Sequence, residues 1–337
     1  MDINNPQHSK FALVKEMLET ADVVRKLQPG AITDLAAQLG DKILLTGEGS
    51  SRIFPAKNAI ANALSAGYPQ RIFTEGATQA MDYKLNDHSI FVASNSGKTK
   101  EGVRLIRHLK ANASVKSLMG VVAHAGTPII AESTNGGYVL TCGNEEAVAA
   151  TKSVTEQALV YELALRTLNG VALPDLQKLG DQMEAVLTTS IPEDVIAPLI
   201  ESPILYWAGK NNGVAEELRL KTNEITRKKS DFLEGTYAAH GIEEVMNADE
   251  AIIVVNPWEA EEAKYREVLV DGVGIGLVAI STRETSFPTY KIPDAGDMGA
   301  YLELAAGWNL LVEVGVQTGI DLDKPVRARK VGNEFIG

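Results

Sequence analysis

The stretch from Ser89 to Leu109 constrains this chain more than any other. Ser89-Ile90-Phe91-Val92-Ala93 is a short apolar strand that runs straight into Ser94-Asn95-Ser96-Gly97-Lys98-Thr99. Glu101 to Leu109 then repeats apolar residues at helical spacing. A strand that turns through a glycine into a helix is half of a β-α-β unit, the element from which parallel sheets are built. The first N–H groups of a helix lack partners, and the helix dipole favours negative charge there. Three hydroxyls, one glycine and a run of backbone N–H groups therefore converge where a small anion is best held. A phosphate on a small metabolite is the natural occupant.

The alternation extends along the chain. Helices are predicted over 8–27 and 31–39, then a strand over Lys42 to Thr46 and a helix from about Arg52 to Ser65. After the Ser89 strand and a helix over 99–112 come strands at Leu118 to Ala123 and Tyr138 to Thr141, and a helix over 151–168. Past Asn169-Gly170 and Pro174, a helix over 175–190 leads to Pro192, and the pattern restarts. Ile204 to Ala208 runs into Gly209-Lys210-Asn211-Asn212-Gly213, and Ala251 to Val255 into Asn256-Pro257. The strand around Ile43 precedes that around Ile90 by 47 residues, and the strand around Ile204 precedes that around Ile252 by 48. This layout predicts two copies of one α/β unit, each a parallel sheet flanked by helices in a flavodoxin-like three-layer α/β/α arrangement. The expected organisation is an N-terminal helical segment over 1–40, a first unit over 41–170, a linker helix over 171–192, a second unit over 193–330 and a tail over 331–337. Ligands of such sheets bind at the carboxyl ends of the strands, where both glycine-bearing loops lie.

Composition narrows the partners. The 44 acidic and 32 basic residues give a net charge of −12, which argues against nucleic acid or an anionic membrane surface. A bound phosphate must therefore be held by local donors, against the overall field. Cys142 is the single cysteine, so no disulfide framework or cysteine-rich metal site is available. His8, His88, His108, His124 and His240 show no metal-ligand spacing, and neither a metal nor a cofactor is expected. No basic-then-apolar leader and no run of 18 apolar residues is present, so a soluble, cytoplasmic protein is expected.

Gly47-Glu48-Gly49-Ser50-Ser51 begins like a dinucleotide fingerprint, but Arg52 stands where the third glycine belongs and no fitting acidic partner is evident. Gly97-Lys98-Thr99 resembles the end of a nucleoside-triphosphate loop, but the required earlier glycine would fall on Val92, inside the strand. The loops are then either strand-to-helix turns capped by hydroxyls or one phosphate site. The density of hydroxyls favours a site shared by Gly49, Ser50, Ser51, Ser94, Asn95, Ser96 and Thr99. Glu145 to Thr155 reads as the first turn of a helix with acidic residues placed for the dipole. In the helix Ala215 to Ile225, Glu217, Lys221 and Glu224 share one face, which by itself reads as a solvated charged surface. His240, 16 residues beyond Glu224 in a small-residue turn, reads by itself as structural.

Together these segments resemble the sugar-isomerase (SIS) domain, present twice, as in the isomerase half of glutamine–fructose-6-phosphate aminotransferase. That family's Gly-Thr-Ser loop is matched by Gly49-Ser50-Ser51, and its Ser-Gln-Ser-Gly-Glu-Thr by Ser94-Asn95-Ser96-Gly97-Lys98-Thr99. Its Val-Ala-Ser-Thr-Lys segment is matched by Val148-Ala149-Ala150-Thr151-Lys152. Its Ala-Leu-Lys-Leu-Lys-Glu-Ile helix aligns without gaps on Arg219 to Ile225, which places the family's catalytic glutamate at Glu224, with Lys221 beside it. The family's ring-opening histidine falls on His240, and its C-terminal active-site lysine on Lys330, five residues after Pro325. The resemblance spans roughly residues 10–335.

What it implies is proton transfer between C1 and C2 of a hexose or amino-hexose 6-phosphate through an enediol or enolamine. Glu224 would be the base, His240 would transfer protons during ring opening, and Lys330 would stabilise negative charge on the substrate oxygen. Val148 and Lys221 join the loop residues as substrate-binding positions. Stand-alone relatives also include hexosamine-phosphate deaminases and fructosamine-phosphate deglycases, and these remain alternatives. A non-catalytic sugar-phosphate-binding regulator is the alternative of another class, opposed by the joint presence of Glu224, His240 and Lys330. The family takes the histidine from a neighbouring subunit, so a homodimer with composite sites is expected. Three departures stand out. Ala150 replaces a sugar-contacting serine, so a different substrate is expected, and Thr222 and Asn223 replace the residues just before the glutamate. No glutaminase half lies in the chain, so glutamine-dependent synthesis is not expected.

Overall fold

The computed structural model describes residues 1–327 together with 334 and 335; Lys330 and most of the tail expected over 331–337 lie outside them. The chain divides into two compact units. One comprises Asp22–Glu145 and Ala150–Gln177 with residues 334 and 335; the other comprises Met1–Ala21, Glu146–Ala149 and Lys178–Arg327.

The first unit is built on β1 (Lys42–Gly47), β2 (Arg71–Gly76), β3 (Ser89–Ser94), β4 (Ser117–Val122) and β5 (Gly137–Val139). The strands are all parallel, in the order β2-β1-β3-β4-β5. Every residue of β3 and β4 is buried, which is why they read as unbroken apolar runs rather than alternating ones. From β1 the chain goes first to one side and then, for β3, to the other. The loops after β1 and β3 thus open on the same crevice, the switch point of the sheet. The helix Lys100–Asn112 packs Val103, Ile106 and Leu109 into a core with Leu44, Ile90, Val92 and Leu118.

The second unit repeats this order with β7 (Lys229–Glu234), β6 (Ile204–Gly209), β8 (Ala251–Val255), β9 (Gly276–Ser281) and β10 (Thr289–Lys291), again all parallel. Its helices Val214–Thr226 and Gly299–Gln317 pack against each other, with Leu218 over Gly307. The first predicted helix is divided in two, Pro6–Ser9 and Ala12–Lys26. The Asp323 carboxylate causes the restart, since it accepts from the N–H groups of Ala12 (2.7 Å) and Leu13 (2.9 Å) and so caps the second helix from outside. Among the described residues no helix is long and apolar enough to cross a membrane.

Candidate functional site

The loop after β3 is built by its own hydroxyls. Ser94 is 2% exposed, and its Oγ accepts from the Gly97 N–H at 3.1 Å and lies 2.7 Å from Thr99 Oγ1. Ser96 Oγ accepts from the Lys98 N–H at 3.2 Å. Thr99 stands at the N-cap of Lys100–Asn112, but its side chain turns to Ser94 and leaves the helix end uncapped. Ser94 therefore shapes the loop from within, while half-buried Ser96 and Thr99 stand at its rim. Gly97 has φ +66°, and a Cβ there would lie 2.1 Å from Thr127 Oγ1. Gly97→Ala is expected to displace the loop and destabilise its unit by about 1–3 kcal/mol, the usual cost of overpacking. A thermal melt checks this, with a fall of roughly 2–4 °C per kcal/mol.

The loop after β1 holds Gly49 (φ +54°) in a single 3₁₀ turn, Gly49–Ser51. Gln157 Nε2, on the helix Lys152–Leu168, donates to Ser51 Oγ at 3.4 Å. Glu48 precedes this turn and accepts from the Ala77 N–H at 3.0 Å. Partial burial pushes its carboxyl above the usual range; the Ala77 N–H opposes this and Glu101 adds to it. The sequence gives no signal for this interaction between Glu48 and Glu101, which only the fold brings close enough to feel each other.

Glu145 is 6% exposed and closes the wall after β5. It accepts from Asn95 Nδ2 at 2.9 Å, the Thr151 N–H at 2.7 Å and Ser153 Oγ at 2.6 Å. Asn95, Ser96, Lys98, His124, Glu145 and Glu334 line a cavity of about 430 Å³ beside the loop. The Phe335 N–H donates to the Lys98 carbonyl at 2.8 Å, and Arg107 stacks on the Phe335 ring at 4.3 Å.

The other unit holds Val148, Lys221, Glu224 and His240. Val148 is half-buried in a segment fixed by Glu16, whose carboxylate accepts from the N–H groups of Glu146 and Ala147. The charged face of Val214–Thr226 is not solvated. Lys221 and Glu217 are both 0% exposed and 3.2 Å apart, and Lys221 Nζ reaches Glu224 Oε2 at 2.9 Å. Burial alone would lower the Lys221 ammonium, but Glu224 and Glu217 outweigh it and hold its pKa above the ordinary lysine value. The Glu224 side chain keeps 24% of its surface exposed. Both departures before Glu224 have structural partners. Thr222 Oγ1 accepts from the buried Trp207 indole at 2.7 Å, and Asn223 Nδ2 donates to the Lys228 carbonyl at 3.0 Å. Arg227, unnoticed in the sequence, ends this helix at φ +62° and lies within the field of Glu224. His240 is exposed, ending the 3₁₀ turn Tyr237–Ala239. Lys330 is not among the described residues.

This unit has its own switch-point loops, and they hold Glu303, which is 6% exposed. Asn256 Nδ2 donates to Glu303 Oε1 at 3.1 Å. Burial raises the Glu303 pKa, against Lys210, Asn256 and Asn212. A carboxyl raised on folding favours the folded state below its unfolded pKa and loses that contribution as pH rises through the folded value. Glu303→Gln is therefore expected to raise the melting temperature by ~2 °C at pH 7–8 and to leave it unchanged below about pH 4. Calorimetry at the two pH values checks this.

No sequence-family profile matches the chain, and no curated protein matches it in sequence. Solved structures do. The C-terminal domain of glucosamine-fructose-6-phosphate aminotransferase from Francisella tularensis has a TM-score of 0.76 at 16% identity, over 94% of this chain and 98% of that one. Tagatose-6-phosphate ketose/aldose isomerase from Escherichia coli gives 0.76 at 16%, over 96% and 98%. Glucosamine-6-phosphate deaminase from Thermotoga maritima gives 0.74 at 18%, over 95% and 98%. With these neighbours and two parallel five-stranded sheets of one strand order, the chain carries the fold of two tandem sugar-isomerase (SIS) domains.

Proposed function

We propose that this chain is a phosphosugar isomerase-type enzyme that moves a proton between C1 and C2 of a hexose or amino-hexose 6-phosphate. The observation that carries the reading is the ion-pair chain Glu217–Lys221–Glu224. Two of its members are sealed in the core, and the third, Glu224, is held at 2.9 Å with a quarter of its surface open. One carboxylate so anchored can take a proton from one carbon and return it to the next. His240 would open the ring, since an imidazole carries one nitrogen that can donate a proton and one that can accept it. Ser96, Thr99 and the Gly49–Ser51 turn would hold the phosphate. Lys330 would stabilise the oxyanion, and Val148 would face the sugar. Deamination and deglycation share the same base, and product identity separates them from isomerisation. Exchange of the C1 and C2 protons of phosphosugars with D₂O tests the reading.

The functional form is a homodimer with composite sites, in which His240 serves the partner's Glu224. Mixing inactive Glu224→Gln and His240→Ala proteins after subunit exchange is then expected to restore ~25% of wild-type activity. Half of the dimers are mixed, and each mixed dimer has one intact site of two. Mixtures that stay inactive, or a fully active monomer, contradict the composite site.

A further inference from the structure

Each sheet places an asparagine directly after the strand on the far side of its switch point, Asn95 after β3 and Asn256 after β8. Each amide donates to a carboxylate that is 6% exposed, Asn95 to Glu145 at 2.9 Å and Asn256 to Glu303 at 3.1 Å. The loops then diverge. After Asn95 come Ser96, Gly97 and Thr99; after Asn256 come Pro257 and Trp258, which offer no hydroxyl. The same asparagine–glutamate link thus supports one loop equipped for an anion and one that is not.

Glu145 is the better anchored of the two. It accepts from the Thr151 N–H and Oγ1 (2.7 and 3.3 Å), the Ser153 N–H and Oγ (3.3 and 2.6 Å) and Asn95 Nδ2. The charge therefore fills the N-terminus of the long helix Lys152–Leu168, where the helix dipole favours it. Asn95 is fixed from its other side as well, since its carbonyl accepts from the Ala123 N–H at 3.0 Å. Ser96 is the next residue, so its position follows from Asn95.

We propose that Glu145 is a positioning residue for the phosphate loop. It ties Asn95 to the rigid end of the helix Lys152–Leu168 and so presets Ser96 and Thr99 for the phosphate. The inference rests on reading Ser94–Thr99 as that loop, and the energetic gain is one of preorganisation rather than of contact.

The test is a titration of the full chain with inorganic phosphate, followed by ³¹P NMR, on wild type, Asn95→Ala, Asn95→Asp, Glu145→Gln and the Asn95→Ala/Glu145→Gln pair. Each single variant is expected to weaken phosphate binding by ~10-fold, with the pair no weaker than the worse single, because both remove one link. Asn95→Asp is expected to be worse than Asn95→Ala, since it sets two carboxylates against each other. Asn95→Ala leaves the helix cap intact, so it decides the matter even if Glu145→Gln fails to fold. An unchanged phosphate affinity accompanied only by a lower melting temperature, or losses that add in the pair, overturns the proposal. Ser96→Ala/Thr99→Ala serves as the control. If that pair binds phosphate like wild type, the loop reading falls and this inference with it; if it abolishes binding while Asn95→Ala has no effect, only the inference falls.

Discussion

Lys221→Met is expected to destabilise the β6–β10 unit by about 3–5 kcal/mol, the cost of breaking a buried ion pair from one side. The substitution leaves the Glu217 carboxylate at 0% exposure without its cation at 3.2 Å. Methionine nearly fills the space of the lysine stem, so the loss is electrostatic rather than a cavity. Trp207, Trp258 and Trp308 are the three tryptophans of the chain and all lie in this unit, so urea unfolding followed by tryptophan fluorescence reads the effect directly. Lys221→Met/Glu217→Gln is expected to recover part of the loss, because the fully buried carboxylate is gone. Glu224, which also loses its cation, keeps 24% of its side-chain surface exposed. The pH dependence follows from the raised Lys221 pKa. A cation whose pKa rises on folding contributes fully below the unfolded value, about 10.4, and loses that contribution as pH climbs through the folded one. The gap between wild type and Lys221→Met should therefore stay constant from about pH 6 to 9 and narrow only above about pH 10.4. Equal urea midpoints at pH 7 would show that the ion pair adds nothing.

Glu224→Gln is expected to lower turnover of the accepted phosphosugar by ~10³-fold, within the range ascribed to a positioned general base. Glutamine keeps the shape of the side chain and an oxygen for Lys221 Nζ, now 2.9 Å from the carboxylate. Binding of the phosphosugar should change less than ~3-fold, since the proposed phosphate ligands, Ser96 and Thr99, are untouched by the substitution. A variant with wild-type turnover would remove Glu224 from the mechanism.

Most strands buried on both faces are legible in the sequence as short apolar runs. β9 (Gly276–Ser281) is as buried as they are but gives no such signal, because Gly272, Gly274 and Gly276 interrupt the run that leads into it. The three-residue β10 is too short to read. β3 reads as an unbroken apolar run, and its loop follows from one glycine and three hydroxyls. The edge strands β2 (Arg71–Gly76) and β7 (Lys229–Glu234) give no apolar run, because β2 is only partly buried along its length and β7 exposes Lys229, Asp231 and Glu234. The helix Gly299–Gln317 was missed for the opposite reason, as it is buried on nearly all sides and shows no amphipathic period. In the candidate site, the spacing of Glu217, Lys221 and Glu224 put them on one face. Spacing alone does not say whether that face meets water or core, and it meets core. Glu145 looked like ordinary helix-dipole decoration, because its bond to Asn95 joins residues 50 positions apart. Glu303 and Arg227 gave no signal, since each takes its meaning from a loop or helix end that only the fold brings near.

The most direct test of the central claim is proton NMR of the wild-type protein in D₂O with hexose, hexosamine and fructosamine 6-phosphates. Loss of the C1 or C2 proton signal of one of these sugars, abolished by Glu224→Gln, is the predicted result. A phosphosugar that binds to the wild type without any exchange would contradict it and make the protein a sugar-phosphate sensor.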